Sequence, residues 1–148
     1  MQLKKYTDYA LRVLIYCASQ EKGKLSSISD ISDTFNISEH HLRKIVFNLT
    51  KMELLESIRG RNGGIHLAKP PSEMNVGILV RQLENDFTLL ECFDKDTNHC
   101  IISPACKLKH TLGKAMHAFF KVLEEYTIED LVVNREELRA MMGIQLQH

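Results

Sequence analysis

The sequence predicts a mainly α-helical protein with one small β-hairpin wing: a winged helix-turn-helix followed by a single long helix. Three observations carry that prediction. Residues 27–51 read as a short and a longer helix, each with an apolar stripe, separated by a turn at Asn36. Two strand patterns, 54–58 and 65–68, bracket the run Arg59-Gly60-Arg61-Asn62-Gly63-Gly64. From Cys106 to Tyr126, apolar residues recur at alternating spacings of four and three, the pattern of a helical seam.

Length and composition set the frame. With 148 residues, of which 44% are hydrophobic and 26% charged, the chain matches one domain-sized globular protein. A chain of this length buries about 68–70% of its extended surface and needs no staples. Lys4 and Lys5 precede an apolar stretch, but Asp8 and Arg12 interrupt it, so a signal peptide is not expected. A soluble, intracellular protein is. The balance of 19 basic and 19 acidic residues hides an asymmetry. Residues 1–70 carry 11 Lys/Arg against 7 Asp/Glu, a net of +4, and residues 71–148 carry 8 against 12, a net of −4. The basic half is the candidate for a polyanionic partner.

In chain order, residues 6–19 form a helix on Tyr6, Ala10, Val13 and Cys17, with Thr7 and Asp8 near its start and Gly23 beyond its end. Ser27 and Asp30 resemble a capping box for the next helix, whose stripe is Ile28, Ile31 and Phe35. Asn36 suits a left-handed turn, Ile37 points inward and Ser38 caps the following helix. There Leu42, Ile45, Val46, Leu49 and Met52 line one face, while His40, His41, Arg43, Lys44, Asn48 and Lys51 occupy the rest. A short helix, a tight turn and a longer helix with a basic outer face form a helix-turn-helix. The next segment is a hairpin whose turn is signalled by Asn62-Gly63 and Gly63-Gly64, where positive φ is needed. Arg59 and Arg61 ride on it and can enter a minor groove or hold phosphates. A nucleotide-binding glycine loop is excluded, because neither the Rossmann nor the P-loop spacing is present. The DNA-contacting set is therefore Ser38, His40, His41, Arg43, Lys44, Asn48, Lys51, Arg59 and Arg61.

Lys69-Pro70-Pro71 separates this 1–70 reader from a second part, 71–133, and a tail, 134–148. Asn75 caps a helix running to about Glu84, with Val76, Leu79, Val80 and Leu83 inward. Residues 85–105 show no periodicity. The long helix that follows spans on the order of 30 Å. Leu108, Leu112, Ala115, Phe119, Val122 and Tyr126 form its seam, and Met116, Phe120 and Leu123 widen the apolar face. Such a helix suits packing on its own domain and on a second copy. Thr127 and Asp130 form a capping box for a short helix. Asn134 with Glu137 starts a weakly helical tail.

Cys92, Cys100 and Cys106 are spaced by seven and five residues on the aperiodic segment. Neither the paired knuckles of structural zinc nor a redox C-x-x-C occurs. Three thiols on one loop suit an iron–sulfur cluster. Cys106 sits where a helix dipole favours a negative ligand. A fourth position is left to a small molecule, a weaker ligand or a residue from elsewhere, with His99 and His110 as candidates. Cys17, on an apolar face, reads as a small buried hydrophobe. His117 reads as structural and His66 as wing surface. No Ser/His/Asp, Cys/His or paired-carboxylate arrangement points to an enzyme.

Three motifs, Tyr6-Thr7-Asp8-Tyr9-Ala10-Leu11-Arg12, Arg59-Gly60-Arg61-Asn62-Gly63-Gly64-Ile65 and Cys92…Cys100-Ile101-Ile102-Ser103-Pro104-Ala105-Cys106, carry a resemblance. Over about residues 1–133 the chain resembles the bacterial winged-helix iron–sulfur transcriptional regulators (IscR/NsrR/CymR-like), most of all the nitric-oxide-sensing repressors among them. Glu91-Cys92-Phe93-Asp94 and Tyr126-Thr127-Ile128-Glu129-Asp130-Leu131 strengthen the second likeness. The resemblance implies a cytoplasmic homodimer joined by the long helices and bound to palindromic operator DNA. It implies a 4Fe–4S cluster (alternatively 2Fe–2S) held by Cys92, Cys100 and Cys106, with Asp8 of the partner subunit as fourth ligand, and release from DNA when nitric oxide nitrosylates the cluster. Two departures stand out. The first gap is longer than in several relatives, and the histidine that the cluster-sensing members carry three residues after the last cysteine is Lys109 here. The alternative is a regulator of the same fold that senses iron or cluster status, or thiol redox through zinc or a disulfide.

Overall fold

The structure, a computed structural model, describes residues 1–146; the last two residues of the predicted 134–148 tail lie outside the described residues. Among the described residues seven α-helices and two strands follow in order: α1 (Lys5–Ser19), α2 (Ile28–Phe35), α3 (Glu39–Lys51), β1 (Leu55–Ile58), β2 (Gly64–Leu67), α4 (Val76–Glu84), α5 (Lys107–Leu123), α6 (Ile128–Leu131) and α7 (Arg135–Met142). The architecture is the winged helix-turn-helix plus long helix that the periodicities predict. Among the described residues no helix is long and apolar enough to cross a membrane.

α1 is the hub. Ala10, Val13, Leu14, Cys17 and Ala18 are buried along it, and the helix contacts α3, β2, α4, α6 and α7. Apolar residues at three- and four-residue spacing make that possible, because they form one broad stripe able to face several neighbours. Ser27 Oγ accepts the Asp30 N–H at 2.9 Å, which is the forward half of the predicted capping box. Asn36 takes the left-handed conformation (φ 54°, ψ 49°) and ends α2. Ser38 then caps α3 through the His41 N–H at 3.2 Å, with Leu42, Ile45, Val46 and Leu49 buried beneath it.

β1 and β2 pair antiparallel, Leu55 opposite Leu67 and Ile58 opposite Gly64. Ser26 and Ile65 exchange two backbone hydrogen bonds of 2.8 Å, which pin the hairpin to the segment before α2. The turn differs from expectation. Its left-handed residue is Gly60 (φ 111°), not Asn62 or Gly63, and the Gly63 N–H donates to the Gly60 carbonyl at 3.0 Å. Gly63 and Gly64 are needed for close approach instead. A Cβ on Gly64 would lie 2.7 Å from the Ser26 carbonyl oxygen, so the pinned strand requires a residue without one.

Asn75 caps α4 through the Ile78 N–H at 3.1 Å and donates its amide to the Glu124 carbonyl at 2.8 Å. The long helix is shorter than predicted. α5 ends at Leu123, so its 17 residues span about 25 Å, and Tyr126 lies outside it. The cause is tertiary: the Val76 N–H donates to the Tyr126 carbonyl and the Ile128 N–H to the Met74 carbonyl, each at 2.9 Å. That pairing draws the chain off the helix axis before the heptad pattern is spent. Thr127 and Asp130 then form the full capping box of α6.

Phe120 anchors α5 to the core. It is 2% exposed, meets Phe87 edge-on at 4.6 Å, and carries the Arg81 guanidinium 3.9 Å over its ring. Phe120→Ala is expected to cost about 3–5 kcal/mol, read as a shift in the urea unfolding midpoint. A loss below about 1 kcal/mol would place Phe120 outside the core.

The tail is more ordered than its sequence suggests. Asn134 precedes α7 but does not cap it as predicted; its amide donates to the Glu137 carboxylate at 3.3 Å. Arg135 donates to the Ala18 carbonyl at 3.3 Å and to both Glu129 carboxylate oxygens at 2.9 Å. Arg139 donates to the Ser19 carbonyl at 2.6 Å. These are C-terminal carbonyls of α1, the acceptors a helix leaves without internal partners.

Candidate nucleic-acid interface and thiol loop

The outer surface of α3 is built by its cap and its spacing. With Leu42, Ile45, Val46 and Leu49 turned inward, the 3.6-residue repeat sends His40, Lys44 and Lys51 to the opposite side, where all three are exposed. Arg43 is exposed and pairs with Glu39 at 2.8 Å. Ser38 is exposed at the helix start, and Arg59 and Arg61 are exposed on the hairpin. Two of the sequence-derived DNA-contacting residues sit differently. His41 stacks edge-on against Tyr9 at 5.2 Å, and the Asn48 amide donates to the Tyr6 hydroxyl. Both are half-buried on the flank of α3 that faces α1. Sequence reasoning overlooked Phe47, an exposed ring on the same outer surface; counting the helical wheel through every position would have found it.

α1 therefore touches the reader through Tyr6 and Tyr9, and between them lies Asp8. Its carboxylate accepts two bonds of 2.9 Å from Arg12, and the pair is half-exposed. The Arg12 guanidinium also lies 5.5 Å from the Tyr9 ring centre and 5.7 Å from that of Phe35.

The thiol loop joins α4 to α5. Cys92 lies in a 3-10 turn (Glu91–Phe93). Cys100 lies two residues after Asn98, whose side-chain oxygen accepts both the Cys100 N–H at 3.0 Å and the Ser103 hydroxyl at 3.1 Å. The Cys106 sulfur caps α5, accepting the Lys109 N–H at 3.4 Å. All three thiols are free and half-buried. Among the described residues no three His, Cys, Asp or Glu side chains are drawn together as a metal-ligating group. The donor chemistry nevertheless fits a cluster: three unpaired thiols on one irregular segment provide three of four thiolate positions. His99 and His110, the candidate fourth ligands, are exposed, and the His99 N–H donates to Glu91 at 3.1 Å. His117 is exposed rather than structural; it lines an open groove with Phe93, Cys106, His110 and Gly113. His66, half-buried, bridges to Glu56 at 3.2 Å across the hairpin.

Cys17 is set apart from these. It is 8% exposed, and burial pushes its thiol up to about 12. Because the folded thiol holds its proton more tightly than the unfolded one, its stabilising contribution is complete below about pH 8.5. It is lost as pH rises toward 12. At pH 8 iodoacetamide should modify Cys92, Cys100 and Cys106 in the folded, cluster-free protein and Cys17 only after unfolding, as counted by mass spectrometry. Modification of Cys17 at the rate of the other three would contradict its place in the core.

On α5, Met116, Phe119, Phe120 and Leu123 pack against the core, Phe119 from the edge of the predicted seam. The predicted seam lies about 90° around the helix. Leu108 is 60% and Val122 54% exposed, Ala115 is exposed, and Leu112 and Phe119 are half-buried. Tyr126 is 45% exposed beyond the helix end.

Residues 3–134 match a family model described as Rrf2, iron-dependent transcriptional regulator. Over 145 residues the chain is 66% identical to the HTH-type transcriptional regulator NsrR of Oceanobacillus iheyensis, covering 98% of this chain and 99% of that protein. It is 46% identical to the HTH-type transcriptional regulator NsrR of Bacillus subtilis, over 98% of this chain and 99% of that one. Its fold is similar to that of oxidised Staphylococcus aureus CymR, with a TM-score of 0.71 and 25% identity over 90% of this chain and 97% of that chain. The IscR of T. potens is similar in fold, with a TM-score of 0.71 at 22% identity over 100% of this chain and 94% of that chain.

Proposed function

The chain belongs to the Rrf2 family of iron-dependent transcriptional regulators, and from that premise we propose that it is a cytoplasmic, nitric-oxide-responsive repressor acting as a homodimer on palindromic operator DNA. A transcriptional regulator, not an enzyme, is what its relatives are named. The observation that carries the finer reading is the set of three free thiols between α4 and the two-faced α5, in a chain 66% identical to a regulator named NsrR.

Cys92, Cys100 and Cys106 would hold a 4Fe–4S cluster, with Asp8 of the partner subunit as the oxygen ligand; a 2Fe–2S cluster is the alternative. When bound, the cluster supplies iron that takes up nitric oxide, most readily where the ligand is not a thiolate. The protein's own residues translate that event. As a ligand, the Asp8 carboxylate would share or give up the paired hydrogen bonds it accepts from Arg12. Tyr6 and Tyr9, on either side of Asp8, hold Asn48 and His41, so a shift of the first turns of α1 moves the flank of α3. Ser38, His40, Arg43, Lys44 and Lys51 would face the major groove, with Arg59 and Arg61 on the neighbouring minor groove or its phosphates. Two-fold symmetry places the half-sites about one helical turn apart.

The test is an anaerobic, iron-replete purification followed by nitric oxide titration of operator binding, using the duplex the protein selects from a random-sequence pool. A coloured protein that releases this duplex as nitric oxide is added supports the reading. A colourless protein that binds equally well throughout overturns it in favour of zinc, thiol redox or no cofactor.

A further inference from the structure

An apolar ring stands in the middle of the basic surface of α3, and the function proposed above makes no use of it. Phe47 is 63% exposed, while its neighbours Leu42, Ile45, Val46 and Leu49 supply the contacts that fold α3 onto the core. On a 3.6-residue helix Phe47 falls within about 60° of His40, Lys44 and Lys51. The Lys51 ammonium lies 4.8 Å from the centre of its ring. Stability does not require an aromatic residue here, since nothing in the core depends on it. The cations around it match a polyanion, so the surface that meets the ring is an apolar spot embedded among phosphates. In the major groove the apolar group of that kind is the C5-methyl of thymine.

We infer that Phe47 is a base-reading residue whose ring packs on a thymine methyl in the major groove, while Lys44 and Lys51 hold phosphates beside it. The inference rests on α3 being the DNA-reading helix and adds a specificity determinant to it. The arrangement separates two roles on one helix face. The lysines contribute sequence-independent, salt-sensitive affinity, and the ring contributes discrimination for thymine that salt leaves largely unchanged.

The test uses the full-length protein, purified anaerobically, and the duplex it selects from a random-sequence pool. That duplex is resynthesised with deoxyuridine replacing one symmetric pair of thymidines at a time, which removes the methyl and keeps the base pair. Wild-type protein should lose about 4-fold in affinity for each contacted methyl, the amount expected for burying one such group, or about 16-fold for the pair. Phe47→Ala should bind the parent duplex correspondingly more weakly and be indifferent to that same replacement. Phe47→Leu should retain part of the sensitivity. Both variants should keep the wild-type unfolding midpoint and wild-type affinity for non-specific duplex. Phe47→Ala binding the parent duplex as tightly as wild type, or keeping the full uridine sensitivity, overturns the inference. A wild-type protein that enriches no sequence from the pool sinks instead the operator-binding function on which the inference stands.

Discussion

Serine in place of Cys92, Cys100 or Cys106 is expected to abolish visible cluster absorbance and to lower operator affinity by on the order of 10³-fold, to the level of non-specific binding. The chain itself should stay folded. All three cysteines are half-buried and lie outside the buried cluster that runs from Ala10 to Val132. Cys106 caps α5 through its sulfur, and serine caps helices well, so even this variant keeps the helix start. Three ligands from one loop and a fourth from α1 of the second subunit would tie the two readers at a set distance, and removing one ligand loosens that tie without touching a residue on the DNA face. Absorbance spectra, circular dichroism and operator titration on the same samples separate these effects. Variants that lose colour but bind the operator as wild type does would uncouple the thiols from DNA recognition.

How far the sequence foretold this molecule depends on the range of each interaction. Ser38, Asn75 and Thr127 cap helices through bonds spanning three residues, and Asn36 needs only its own tolerance of positive φ. Such signals are complete in a short window and these four held, whereas Asn134, a cap signal of the same range, caps nothing in α7. The end of α5 was not legible, because the heptad continues through Tyr126 while the pairing that stops the helix comes from Met74 and Val76, some fifty residues earlier. The docking of α7 was hidden for the same reason: Arg135 and Arg139 find their acceptors 117 and 120 residues away. The wing turn was placed correctly, yet its left-handed residue is Gly60, since Gly63 and Gly64 serve the close backbone approach at Ile58 and Ser26.

The candidate site divides along the same line. Periodicity put His41 and Asn48 on the polar surface of α3, which is true of the isolated helix. Only the packed structure reveals that Tyr6 and Tyr9 claim them. That contact makes His41 and Asn48 the link between α1 and α3, the route by which Asp8, in the function proposed above, would bear on a surface it does not join. The three cysteines were legible as a set because they are close in sequence, whereas a fourth ligand from a second chain, as proposed above, would leave no periodic trace in the first.

Charging the exposed side of α5 is expected to have an effect of similar size by a different route. Leu108→Glu combined with Val122→Glu alters residues that are 60% and 54% exposed in the single chain, so subunit stability should change by no more than about 0.5 kcal/mol per site. In a two-fold interface each glutamate faces copies of the same surface, and the repulsion is paid twice. The variant should sediment as a 17.0 kDa monomer. A monomer engages one half-site and loses the gain from holding two at once, so operator affinity should fall by about 10²–10⁴-fold. The salt dependence gives an independent readout. Since its slope follows the number of phosphates neutralised, it should drop to about half the wild-type value, whereas damage to the reader alone would leave a dimer with two weakened half-site contacts. A variant that remains dimeric at micromolar concentration would move the interface off this side of α5.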